Sequence, residues 1–186
     1  QGRDLQIVDE TTATAMVACQ GPKTLEIAKE LTGTDLTTLK RYHFTVRDFG
    51  PLQIVTYRSG YTGEDGLEVV FPAPLVSFLL PKLFGTKEKP HPIVKPAGLG
   101  ARDTLRIEAS MPLYGHELSE QVDSLTAGQA WCVDLNKDFI GVEPMRRLNE
   151  RGLTRKLVGL ELDGRRIARQ HSAVYGGGRA VGEVTS

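Results

Sequence analysis

The order and period of its apolar segments predict an α+β fold for this 186-residue chain. Elements follow as β-α-β-β-β-α-α rather than in strict strand–helix alternation, which favours ferredoxin-like layers of antiparallel sheet and helix over a doubly wound sheet. Tyr42 to Asp48 sets Tyr42, Phe44 and Val46 against His43, Thr45 and Arg47, the period of a half-buried strand. A composition of 40% hydrophobic and 25% charged residues is that of a globular chain with a packed core, far from the signature of disorder.

Thr14 to Cys19 is short and apolar between polar residues, hence a strand. Gln20-Gly21-Pro22 follows, with the proline set for a first helical turn, and Leu25, Ile27, Ala28 and Leu31 recur at helical spacing up to Gly33. Beyond Tyr42 to Asp48, Gly50-Pro51 leads into Leu52 to Tyr57, so a hairpin is expected, and Leu67 to Phe71 adds a further strand. Pro74 to Leu83 places Leu75, Phe78, Leu79 and Leu83 on one helical face, with Pro81 predicting an early end or a kink. Ala97 to Ala109 reads as a helix with a glycine-rich start, on which Asp103 can pair with Arg106 at i,i+3. Glu143 to Glu150 is a short helix, Lys156 to Leu162 alternates as a strand, and His171 to Val184 reads as a hairpin around Gly176-Gly177-Gly178, making the chain all-β from about Leu153.

The 23 basic and 23 acidic residues cancel, so no overall field draws the chain to nucleic acid or to an anionic membrane. Leu75 to Leu83, among the longest apolar runs, falls short of a membrane span, and the default location is cytoplasmic, or the matrix of a mitochondrion in a eukaryote. Cys19 and Cys132 show no metal or redox spacing and each has apolar neighbours; buried free thiols are expected, against a disulfide or a nucleophile. An opening on Gln1 and a stop at Val184-Thr185-Ser186, where a strand is finishing, suggest a piece of a longer polypeptide. His43, His91, His116 and His171 are scattered without ligand spacing, and no metal is expected.

Chemistry concentrates in Ser59 to Phe71, S-G-Y-T-G-E-D-G-L-E-V-V-F. It lacks the lysine and hydroxyl of a phosphate loop and the ligand spacing of a calcium loop. Gly63 and Gly66 are expected to supply unusual φ values in a turn, with Glu64 and Asp65 solvated at its tip. Glu68 differs: strand alternation puts it with Val70 on one face and Leu67, Val69 and Phe71 on the other. A carboxylate there is either a solvated edge residue or the partner of a ligand or an arginine. Arg102 and Arg106 follow the small-residue run Ala97 to Ala101, which permits close approach by a backbone or a flat ligand; a surface position is the plainer reading of both.

Several blocks resemble, in the family's order, the glycine cleavage system T protein, a tetrahydrofolate-dependent aminomethyltransferase. They are Gln20-Gly21-Pro22, the stretch from Gly60 to Glu68, Gly98 to Ala109, Leu113-Tyr114-Gly115, Lys137 to Gly141, and Gly182 to Ser186. The resemblance covers nearly the whole chain. It implies a folate-binding core over 1–152, incomplete at its N-terminal side, and the start of a C-terminal β-barrel domain over 153–186. Glu68 and Arg102 then become folate contacts, with Tyr61 an aromatic neighbour of the ring system. A pterin offers adjacent N–H donors that one carboxylate accepts side by side, while its carbonyl and the folate tail suit a cation.

The implied reaction moves an aminomethyl group from the lipoyl arm of the H protein to tetrahydrofolate, with release of ammonia. No catalytic residue is assigned within the chain, because the family's aspartate is expected N-terminal to it, and the chain alone is expected to bind folate without turnover. Folate domains of demethylases or of dimethylglycine and sarcosine oxidation enzymes, or a non-catalytic assembly module, are the rival assignments. A purely structural rival pairs Glu68 with Arg102.

Overall fold

In the computed structural model, residues 4–186 are described, and the chain divides into two compact units, one ending at Ala109 and the other running from Ser110 to Ser186. The first holds a four-stranded antiparallel sheet with helices, so the α+β expectation is met at that level.

Strand β1, Thr14–Gln20, leads through a turn at Gly21 and Pro22 into helix α1, Thr24–Thr32. Pro22 therefore lies ahead of the helix rather than in its first turn. Gly33 ends α1 in the left-handed region (φ 68°), its N–H donating to the Lys29 carbonyl at 2.8 Å, a glycine C-cap. Strands β2, Phe44–Phe49, and β3, Leu52–Tyr57, form the expected hairpin across Gly50. The expectation began β2 two residues too early: Tyr42 has φ 64°, which no strand residue adopts.

Strand β4, Gly66–Pro72, pairs with β1 on one side and β3 on the other, giving the order β1-β4-β3-β2. A short 3-10 turn, Ala73–Leu75, then enters helix α2, Val76–Phe84, which continues past Pro81 instead of stopping there. Helix α3, Leu99–Glu108, lies within the expected span but starts two residues later than Ala97, with Gly98 at its N-cap. Alternation along β4 explains the core: Leu67 and Phe71, each 2% exposed, share one face, and α1, which buries Thr24 and Ile27, lies against this strand.

The second unit carries helix α4, Val142–Arg151, and a hairpin of β5, Ala173–Gly176, and β6, Arg179–Glu183. Gly177 and Gly178 both have positive φ (57° and 79°), the backbone a two-residue hairpin turn requires. Leu125, Ala127 and Val142 are its buried apolar residues.

The strand expected over Lys156 to Leu162 does not form; the segment is irregular, and Val158 and Leu160 are exposed. Alternation names a face but supplies no neighbour, and a strand without a ladder leaves its N–H and C=O groups to water. Among the described residues Leu157 alone in this segment makes a backbone hydrogen bond, its N–H donating to the Thr126 carbonyl at 2.9 Å. Cys132 also departs from expectation: it is exposed beside an exposed Trp131 in a short 3-10 turn, because apolar neighbours in irregular chain do not define a buried face. Cys19 is half-buried, and both thiols are free.

Candidate functional site

Gly66 opens β4 opposite Gln20, the last residue of β1. Its φ is not positive, contrary to the turn role expected of it; the left-handed glycine of this stretch is Gly63, at φ 78°. Gly66 is glycine for space. A Cβ there would stand 2.0 Å from Gln20 Oε1, and one on Gly60 would stand 1.8 Å from the same atom. The Gln20 amide thus lies across two bare backbones. Its Nε2 donates to the carbonyls of Ser59, at 3.2 Å, and Leu67, at 3.4 Å.

The loop between β3 and β4 is held from several sides. Arg58 forks onto Asp65, Nε to Oδ1 at 3.0 Å and Nη2 to Oδ2 at 2.6 Å, while its Nη1 donates to the Thr37 and Leu39 carbonyls. Asp65 is therefore not solvated as expected, and the Arg58 guanidinium holds its carboxyl below the usual carboxylate range. The Asp65 carbonyl also accepts the Gly21 N–H at 2.9 Å, tying the loop to the end of β1. Arg41 donates to the Gly63 and Glu64 carbonyls at 3.4 Å, and Glu64 is exposed as expected.

On this frame Glu68 stands half-buried in mid-sheet. Strand register places Ala18 of β1 and Tyr57 of β3 directly beside it, and Phe44 of β2 beyond Tyr57. Opposed residues of an antiparallel ladder share a face, so these four form one row with a single carboxylate. The Tyr57 and Phe44 rings are 5.5 Å apart. Ser59 Oγ donates a hydrogen bond to Glu68 Oε2.

Arg102, exposed on α3, lies over the ring of the half-buried Tyr61, its guanidinium carbon 4.5 Å from the centroid. Two of the three candidate residues are thereby brought together. No ion pair joins Glu68 to Arg102 among the described residues, so the structural rival loses its central contact. Arg106, one helical turn on, is 1% exposed and donates to Asp103 Oδ1 at 2.8 Å, so the expected i,i+3 pair forms with its arginine buried rather than on the surface and its aspartate half exposed.

No three His, Cys, Asp or Glu side chains form a metal-holding group among the described residues. Two surface concavities, one bounded by Pro144, Arg147, Leu148 and Arg151 and one by Asp35, Thr45, Arg47 and neighbours, include none of Glu68, Tyr61 and Arg102. Sequence reasoning missed Gln20, Arg58 and Ser59. Only the register pairing Gln20 with Gly66 reveals the first, and the others are chosen by a loop path that has no period.

A family model described as the GCVT N-terminal domain matches residues 1–137. This chain belongs to that family. An aminomethyltransferase of Symbiobacterium thermophilum is 44% identical, over 98% of this chain and 50% of its own length. One from Rubrobacter xylanophilus is 43% identical, over 98% of this chain and 48% of its own length. The crystal structure of glycine cleavage system aminomethyltransferase T from Bartonella henselae superposes with a TM-score of 0.81 at 29% identity, covering 93% of this chain and 47% of that one. The GCVT chain described here thus spans about half the length of the curated relatives it matches. Among its described residues no helix is long and apolar enough to cross a membrane.

Proposed function

We propose that this chain contributes the folate-recognising part of a glycine cleavage aminomethyltransferase, with tetrahydrofolate as the substrate that receives the one-carbon unit. The observation that carries the reading is Glu68: a carboxylate in mid-sheet, fixed by Ser59 and flanked by Ala18 and Tyr57, in a chain of the GCVT family. Its remaining acceptor positions suit the adjacent N–H donors of a pterin. Arg102 and Tyr61 would serve the carbonyl and ring systems of the same ligand, the arginine bringing positive charge and the stacked ring a flat apolar surface. Binding, rather than proton transfer, is the role proposed for all three.

The same reading makes the donor an aminomethyl group on the lipoyl arm of the H protein, with ammonia as the leaving product. Residues 1–152 would form the folate core, with ferredoxin-like layers, and 153–186 the start of a barrel domain, in a cytoplasmic or mitochondrial matrix protein without bound metal.

Titration calorimetry of the full-length protein with tetrahydrofolate tests the binding role. Glu68→Gln keeps the shape but replaces one acceptor oxygen with a donor, and is expected to weaken binding by about 2–3 kcal/mol without loss of thermal stability. Unchanged affinity in Glu68→Gln would remove the pterin assignment.

A further inference from the structure

Glu68 does not stand alone: a two-step chain of side-chain contacts leads from it to the end of β1. Ser59 Oγ donates to Glu68 Oε2, and the Ser59 carbonyl accepts from Gln20 Nε2 at 3.2 Å. The same amide nitrogen reaches the carbonyl of Leu67, the residue just before Glu68, at 3.4 Å. Gln20 therefore grips the chain at both points from which this hydrogen bond is made. Both contacts are carbonyls, which fixes the amide orientation, since only the NH2 can face them. The opposite end, Oε1, is buried and accepts no hydrogen bond among the described residues. An amide that leaves an acceptor unpartnered in order to donate twice is set by those two carbonyls, and Gly60 and Gly66 leave the room for it.

We propose that Ser59 is a positioning residue for Glu68, that Gln20 holds Ser59 in place, and that together they set the affinity for the pterin end of a folate. The proposal rests on Glu68 being the pterin carboxylate. A glutamate side chain has three rotatable bonds, and a free one on a sheet face would have to be ordered when the ligand arrives. A hydroxyl donating to one oxygen removes that cost beforehand and occupies only one of about four acceptor positions.

The test compares two ligands, tetrahydrofolate and p-aminobenzoylglutamate, which carries the tail without the pterin, by calorimetry on the full-length protein. Ser59→Ala is expected to weaken tetrahydrofolate about tenfold, the effect of one charge-assisted hydrogen bond, and to leave p-aminobenzoylglutamate unchanged. Ser59→Thr, which keeps the hydroxyl, should restore binding to within about twofold of the parent. Gln20→Met, similar in length without donors, should weaken tetrahydrofolate several-fold and add little to Ser59→Ala in the double variant, because both act on one contact. Should Ser59→Ala not fold, Ser59→Cys is the same test with a weaker donor.

Equal loss for both ligands would show a merely structural role, and an additive double variant would separate Gln20 from Ser59; either overturns the proposal. So would tight tetrahydrofolate binding by Ser59→Ala while Glu68→Gln is impaired. If instead Glu68→Gln binds like the parent, the pterin reading itself fails and this inference fails with it.

Discussion

At the scale of single residues, the glycines around Tyr61 answer to two different demands. Gly63 is left-handed, and a Cβ on it would also stand 2.8 Å from that of Ala109. Gly66 has ordinary strand backbone and is small because Gln20 crosses it. Gly66→Ala should therefore strain no dihedral but dislodge the amide, at a cost of about 1–2 kcal/mol for its two hydrogen bonds. In a Gln20→Ala background the same substitution should cost far less. Urea denaturation of the four proteins reads the coupling, and equal costs in both backgrounds would mean Gly66 is needed for some other reason. The letter G cannot distinguish these demands in a sequence, which is why Gly66 reads there as a turn residue. Glu68 is legible for the opposite reason: it is one charge inside an otherwise apolar run, Leu67-x-Val69-Val70-Phe71, and the period of two assigns it a face. Asp65 misleads because its partner, Arg58, is fixed by the path of the loop rather than by any repeat.

At the scale of elements, what could be read was whatever carries its own local signal. Strand β3 and the turns at Gly33, Gly50 and Gly177-Gly178 lie where period and turn chemistry put them. Helix α2 continues past Pro81 because a proline missing its own N–H forfeits one bond of the helix, not all of them. The alternating residues 156–162 fail to become a strand because pairing is a property of two segments, and only one is written there. Gly33 offers a clean measurement at this scale. It sits at φ 68° with open space where a Cβ would go, so Gly33→Ala meets no clash and costs only the strain of a side chain in the left-handed region. A destabilisation of about 1 kcal/mol is expected in thermal or urea unfolding, whereas Gly33→Asn, which tolerates the left-handed region better, should cost less.

At the scale of the whole chain, positive and negative charges balance, so its response to pH depends on local pairs rather than on a net field. Both units contain an aspartate held below its ordinary value of 3.8: Asp65 by the Arg58 fork, and Asp123 because hydrogen bonds from Thr126 and nearby backbone outweigh the upward push of burial. A carboxylate with a depressed folded-state pKa binds protons more readily when unfolded. Its contribution is therefore complete above the ordinary value and drains away as pH falls through the lower, folded one. The urea midpoint is expected to be level from about pH 7 down to about pH 5 as far as these groups decide it, then to fall steeply below about pH 4. Asp65→Asn should lose about 1–3 kcal/mol at neutral pH, since the half-buried Arg58 guanidinium is left with no carboxylate to meet it. Its decline in acid should also be shallower than the parent's, because the group that titrates is gone. A parallel decline in Asp65→Asn and parent would assign the acid sensitivity to other carboxylates and leave the Arg58–Asp65 fork as a packing contact alone.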